Sequence, residues 1–128
     1  MSAAPLQVAL DRNAALLRLR LARPKANLVD AAMIGALADA FAAHRDPGSL
    51  RAALIEAEGP HFSFGASVEE HLPAQCAAML KGLHGLLVAM REWPRPILVA
   101  VRGQCLGGAV ELARGGSLIF ASKDAQFG

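Results

Sequence analysis

The sequence predicts an α/β fold, and three observations carry that expectation. Short leucine-rich or β-branched runs alternate with longer stretches of helical periodicity. Turn residues, glycine and proline above all, punctuate the chain between them. Nothing repeats internally and nothing reads as a linker, so the 128 residues are expected to form one domain.

The elements follow in order. Leu6–Asp11 and Ala14–Leu21 read as strands joined at Arg12-Asn13. In the second, Leu17, Leu19 and Leu21 alternate with Arg18 and Arg20, the period of two that marks a half-exposed strand. Arg23-Pro24-Lys25-Ala26-Asn27 breaks that regularity, since proline cannot continue a central ladder. Asp30 is a helix N-cap, with Met33, Leu37, Ala40 and Phe41 on one face of a helix reaching about His44. Ala52–Ala57 is a third strand, and Val68–His71 has the makings of one helical turn. Pro73 opens a helix in which Met79, Leu80, Leu83, Leu86, Leu87 and Met90 are spaced for one face. Ile97–Val101 is short and unbroken enough for a strand buried on both faces, and Leu118–Ala121 is the next strand.

Composition narrows the function classes. The net charge is +2, from 13 basic and 11 acidic residues, too balanced for nucleic acid or an anionic membrane surface. Five Phe and one Trp without basic clusters make no base-stacking platform. Two cysteines and an amino terminus without a signal-peptide pattern lead to the expectation of a reduced, cytoplasmic protein. No apolar run approaches the roughly 20 residues of a membrane span. Hydrophobic residues reach 54%, which hints that some apolar surface belongs against a partner or against further sequence.

Two loops leave strand ends with glycine in them, Phe62–Ser67 and Gly103–Gly108, and ligands of α/β folds gather at such loops. Behind the second, Ala109–Ala113 reads as helix with Glu111 in its first turn. Glycine there lets backbone N–H groups approach a ligand closely, with a carboxylate one turn away. On its own the GG-x-x-E pattern reads more plainly as a tightened turn, with Glu111 favouring the helix dipole. Gly103–Gly108 lacks the G-x-G-x-x-G spacing of a dinucleotide site, and no glycine loop leads into Lys-Ser/Thr. Gly65-Ala66-Ser67 is no nucleophile elbow, because Glu69 stands where glycine is needed. His61, His71, Cys76, His84 and Cys105 have no metal-ligand spacing, and Cys105 reads as a small buried hydrophobe.

Together the two loops resemble those of the crotonase (enoyl-CoA hydratase/isomerase) superfamily. Phe62-Ser63-Phe64-Gly65-Ala66-Ser67 matches its F-x-x-G-A-D signature, with Ser67 in the place of Asp. Pro96 through Glu111 matches the glycine-rich second signature, with Ala109 for its third glycine. Arg23–Asn27 and Ala125–Gly128 fit as well. Within the superfamily, the chain is most similar to the branch that hydrates cyclic dienoyl-CoA thioesters in anaerobic aromatic degradation.

The resemblance implies a crotonase-like fold of ββα units, and an oxyanion hole made by the N–H groups of Ala66 and Gly108. It also implies Glu111 as the acid/base, and contacts to the CoA ester from Arg23, Lys25, Ala26, Phe64, Gly65, Ser67 and Gly107. Coenzyme A would arrive as part of the substrate, with no separate cofactor and no metal. The complete protein would be a homo-trimer or a dimer of trimers, with no nucleic-acid or membrane partner. Family hydratases carry a second glutamate three residues past the position of Gly128, followed by a helical region, so the chain is expected to be truncated there. Isomerisation, thioester hydrolysis and non-catalytic CoA-ester binding or assembly stand as alternatives. The enzyme reading requires the two loops to meet and Glu111 to face the same enclosed site.

Overall fold

The computed structural model describes residues 4–24, 26–66 and 72–128. Lys25, Ser67 and the anticipated Val68–His71 turn lie outside the described residues. In chain order the elements are β1 (Leu6–Asp11), β2 (Leu16–Leu21), α1 (Ala31–Ala43), β3 (Ala52–Ala57), α2 (Pro73–Glu92), β4 (Ile97–Val101), β5 (Gln104–Cys105), α3 (Gly108–Arg114), β6 (Leu118–Ala121) and β7 (Gln126–Phe127). Five strands form one sheet in the order β1-β2-β3-β4-β6. β1 runs antiparallel to β2, and every later pairing in that sheet is parallel. The short strands β5 and β7 make a separate parallel pair.

The hairpin turn is wider than its sequence suggested. Arg12, Asn13 and Ala14 all have positive φ, at 55°, 57° and 62°. A left-handed residue cannot join a ladder, so β2 starts at Leu16 rather than Ala14. Asp30 caps α1 as anticipated, its carboxylate accepting the Met33 N–H at 2.9 Å. Met33, Ile34, Leu37, Ala40 and Phe41 are buried on that helix.

One sheet face carries Leu17, Leu19, Leu21, Ala53, Ile55, Ala57, Ile97, Val99 and Val101, all buried in a core shared with α1, α2 and α3. The opposite face has no helical layer among the described residues. There Arg18 bridges Asp11 at 3.1 Å and Glu56 at 2.6 Å, and Arg20 lies 3.6 Å from Glu56. Consequently β4 is not buried on both faces as expected; Leu98 and Ala100 are only half-buried. β6 is exposed along its whole length, with Leu118 and Phe120 more than half accessible.

Gly115-Gly116 looks like a weak helix end in the sequence, but the packing gives it a reason. A Cβ on Gly115 would come within 2.9 Å of the Leu87 side chain. One on Gly116 would come within 2.6 Å of Val99 Cγ2 and 3.1 Å of the Ile97 carbonyl. Glycine is what lets α3 turn tightly against α2 and β4 before β6 begins.

Asn27 is fully buried and left-handed, with φ 44°. Its Oδ1 accepts the Arg23 N–H at 2.8 Å, and its Nδ2 donates to the carbonyls of Glu58 (2.9 Å) and His61 (3.3 Å). It therefore ties the turn after β2 to the loop after β3. Asn27→Ala would strand these backbone groups and place a Cβ-only residue in a left-handed well. A loss of about 2–4 kcal/mol in denaturant-derived stability is expected, with Asn27→Asp recovering the Arg23 contact alone. Equal stability of Asn27→Ala and the parent chain would contradict the tie.

Cys105 is fully buried in the core, and burial pushes its thiol up to about 11 from the ordinary 9.0. Because the folded value is raised, the fold favours the protonated thiol, and this contribution is present below pH 9.0 and lost as pH climbs toward 11. At pH 8, iodoacetamide should alkylate the half-buried Cys76 and reach Cys105 only after denaturation, as read by peptide mass.

Candidate active site

The loop after β3 and the loop after β4 meet as a short hydrogen-bonded ladder. Phe62 N–H donates to the Arg102 carbonyl (2.8 Å), Ser63 N–H to Gln104 (3.1 Å), and Leu106 N–H to Ser63 (3.1 Å). Ser63 and Cys105 form a parallel β-bridge. The ladder is braced from behind by β7. Gln126 N–H donates to Gly103 (2.8 Å), Gly128 N–H to Cys105 (3.1 Å), and Gly107 N–H to the Gly128 carbonyl (2.9 Å). Asp124 adds a carboxylate near the Gly103 N–H at 3.4 Å. Its pKa is held below the usual carboxylate value, chiefly by the Ser122 hydroxyl and then by that amide. These short strands have no apolar alternation, and the sequence reading missed them.

At the end of the ladder lie two bends. Gly65 has φ 94°, and a Cβ on it would stand 2.6 Å from the Leu106 carbonyl oxygen and 3.4 Å from the Gly108 nitrogen. A Cβ built on Gly108 would lie 4.0 Å from the Ala66 nitrogen. The Ala66 and Gly108 amides thus come together from separate loops. Among the described residues, the amides next to them in sequence are used. Gly65 N–H donates to Ser63 Oγ (3.0 Å), Gly107 to Gly128, Ala109 to Leu106 and Val110 to Gly107. Among the described residues, neither Ala66 N–H nor Gly108 N–H donates to a protein acceptor. Two unpaired donors side by side are a place for an oxygen that carries negative charge.

Ala26 and Val29 are tied through the backbone to the loop that carries Ala66, whereas Arg23 bonds through its backbone to Asn27. Phe64 N–H donates to the Ala26 carbonyl (2.9 Å), and Val29 N–H to the Gly65 carbonyl (2.9 Å). Arg23 is exposed at the turn, Ala26 is half-buried, Phe64 is exposed, Gly65 is buried and Gly107 is exposed. Leu83 of α2 reaches over the bends, its Cδ2 4.0 Å from a Cβ built on Gly108.

Glu111 departs from the expectation. It is three residues after Gly108, hence on the same face of α3 and roughly 4.5 Å farther along its axis. Yet its side chain is exposed, beside an open cavity of about 480 Å³ shared with Leu87, Met90, Arg91 and Arg114. Neither Ala66 nor Gly108 lines that cavity. The physical reason is that α3 buries Ala109, Leu112 and Ala113 toward the core, which turns the Gly108–Glu111 face outward. Larger cavities of about 640 Å³ between α1 and α2, and about 620 Å³ over the uncovered sheet face, also exclude the amide pair. The two loops meet as required; an enclosed site around the carboxylate is not formed by the described residues.

Known proteins resemble the chain in both fold and sequence. Residues 11–128 match the enoyl-CoA hydratase/isomerase family. The chain is 62% identical over 127 residues to the cyclohexa-1,5-dienecarbonyl-CoA hydratase of Thauera aromatica, covering 99% of itself and 49% of that protein. It is 33% identical over 121 residues to a carnitinyl-CoA dehydratase of Salmonella enteritidis, covering 92% of itself and 46% of the relative. Among solved structures, an enoyl-CoA hydratase/carnithine racemase from Magnetospirillum magneticum superposes with a TM-score of 0.89 at 28% identity, over 99% of this chain and 49% of that one. Pseudomonas aeruginosa AtuE superposes with a TM-score of 0.87 at 30% identity, over 97% and 50%. The chain spans about half the length of the curated relatives it matches. With its paired loops, parallel sheet and family match over nearly its whole length, the chain belongs to the enoyl-CoA hydratase/isomerase family and has the crotonase fold.

Proposed function

We propose that the chain is the amino-terminal part of an acyl-CoA hydratase acting on an α,β-unsaturated, cyclic dienoyl thioester. The observation that carries this reading is the pair of unpaired, adjacent amides at Ala66 and Gly108. As the oxygen of water bonds to the far carbon of the conjugated system, the π electrons move onto the thioester oxygen. The two N–H groups stabilise that enolate, and the ring takes up a proton as the carbonyl re-forms. Donors of this kind are worth about 2.7–4 kcal/mol each when one is removed. Glu111 takes the proton from water, and its place one turn beyond the Gly108 amide supports that role. The likeness to the Thauera hydratase supports the dienoyl substrate.

Arg23, Lys25, Ala26, Phe64, Gly65, Ser67 and Gly107 complete the proposed contacts to the CoA ester, with coenzyme A entering only as part of the substrate. The exposed apolar side chains of Leu118, Phe120 and Phe127 support burial against more protein, in a trimer or a dimer of trimers. Cys76 and Cys105 stand as free thiols, which supports a reducing, cytoplasmic setting.

The exposure of Glu111 favours a second reading, in which the 128 residues bind CoA esters through the amide pair without turning them over. Acid/base work requires a cover over that carboxylate which the described residues do not supply.

Incubating the complete protein with a panel of unsaturated acyl-CoA esters should give a product heavier by one water, read by mass spectrometry. Binding of a non-reactive ester with no such product would select the second reading. Glu111→Gln should lower kcat by at least about 10²-fold while ester affinity persists; unchanged turnover would remove Glu111 from the mechanism. Gly65→Ala should destabilise the fold by about 1–3 kcal/mol, since φ 94° and the Leu106 carbonyl both oppose a Cβ, and should weaken ester binding measured by calorimetry.

A further inference from the structure

One rung of the ladder between the two loops, next to the Phe62–Arg102 bond, is made by a side chain. Gln104 N–H donates to Nδ1 of His61 at 3.0 Å. The next bond toward the amide pair is Ser63 N–H to the Gln104 carbonyl, and the one after is Leu106 N–H to Ser63. Gln104 therefore bonds to the first loop through both its N–H and its carbonyl, the N–H to an imidazole. We propose that His61 is a positioning residue, whose Nδ1 sets how deeply the Gly103–Gly108 loop docks and hence the spacing of the Ala66 and Gly108 amides. This rests on the reading of those amides as the enolate site.

Several features hold the imidazole for this task. Its ring leans on Phe64, with centroids 5.1 Å apart and planes at 52°. Its carbonyl accepts from the buried Asn27. Gly103 has φ 58°, and a Cβ there would collide with His61 Nδ1 and with the Pro60 carbonyl oxygen, so only glycine lets the ring in. An amide can only donate, so Nδ1 is the bare nitrogen and the neutral ring carries its proton on Nε2. The sequence reading weighed His61 only as a metal ligand, because the acceptor role depends on a contact 43 residues away.

Losing one bond leaves the rest of the ladder in place, so the loops stay paired while their depth loosens. A displacement well under an ångström at a reacting atom affects the transition state more than ground-state binding. Asparagine offers Oδ1 where histidine offers Nδ1; leucine fills similar space with no acceptor.

The test has two arms. In the isotope-labelled chain, NMR should show a through-hydrogen-bond coupling between the Gln104 amide nitrogen and His61 Nδ1; its absence in the folded protein overturns the proposal. In the complete protein, His61→Leu should lower kcat about tenfold or more with KM changed less than about threefold, and His61→Asn should recover most of the loss. If His61→Leu does not fold, His61→Gln, with its oxygen one bond too far, replaces it. Wild-type kcat in the leucine variant, or an asparagine variant as impaired as leucine, overturns the role of Nδ1. A wild-type protein that neither binds nor hydrates any acyl-CoA ester while the coupling is present sinks the functional reading instead, and the role of His61 with it.

Discussion

There is no room for a side chain between Gly65 and the Leu106 carbonyl, and the site depends on that close approach. Two loops separated by some forty residues lie against each other there, and each contributes one amide that finds no acceptor among the described residues. Leaving a backbone N–H unpaired is unfavourable, so a fold that sets two of them side by side holds them by other means. Those means are visible: rungs between the loops, the β7 strap behind them, and Asn27 anchoring the entrance. The constraint is steric first and electrostatic second.

The parallel sheet explains why the loops meet at all. β3 and β4 are neighbours and run in the same direction, so the loops leaving their carboxyl ends emerge side by side. α1 and α2 cover one face and bury the alternating leucines, isoleucines and valines that fix the strand register. α3 buries its own apolar side into the same core, which leaves Gly108 and Glu111 on the outward side. One packing decision thus produces both the favourable apposition of the amides and the exposure of the carboxylate.

That exposure is what separates a binding platform from a catalyst. Amides stabilise charge whenever an oxygen reaches them, but an exposed carboxylate is not held in the water-excluded surroundings of an enclosed site. The half-buried Leu98 and Ala100 of the open sheet face and the exposed β6 fit the same picture, since no layer covers either among the described residues.

Much was legible from residue order. Leucine alternation in β2, the Asp30 cap, Pro73 at the start of α2 and the glycine signatures each express a short-range rule that needs only near neighbours. The family likeness added the amide pair, because Phe62–Ser67 and Pro96–Glu111 carry recognisable spacing. Hidden from that view were the β5–β7 strap, the ties made by Asn27, the acceptor role of His61, the packing need behind Gly115-Gly116 and the outward turn of Glu111. By itself, then, the sequence determined the five strands of the main sheet and the helices to within a few residues, the glycine bends and the family. Tertiary structure alone decided which amides stand unpaired beside each other and which carboxylate faces water, because both depend on contacts between segments far apart in the chain, and local pattern carries no record of those distances.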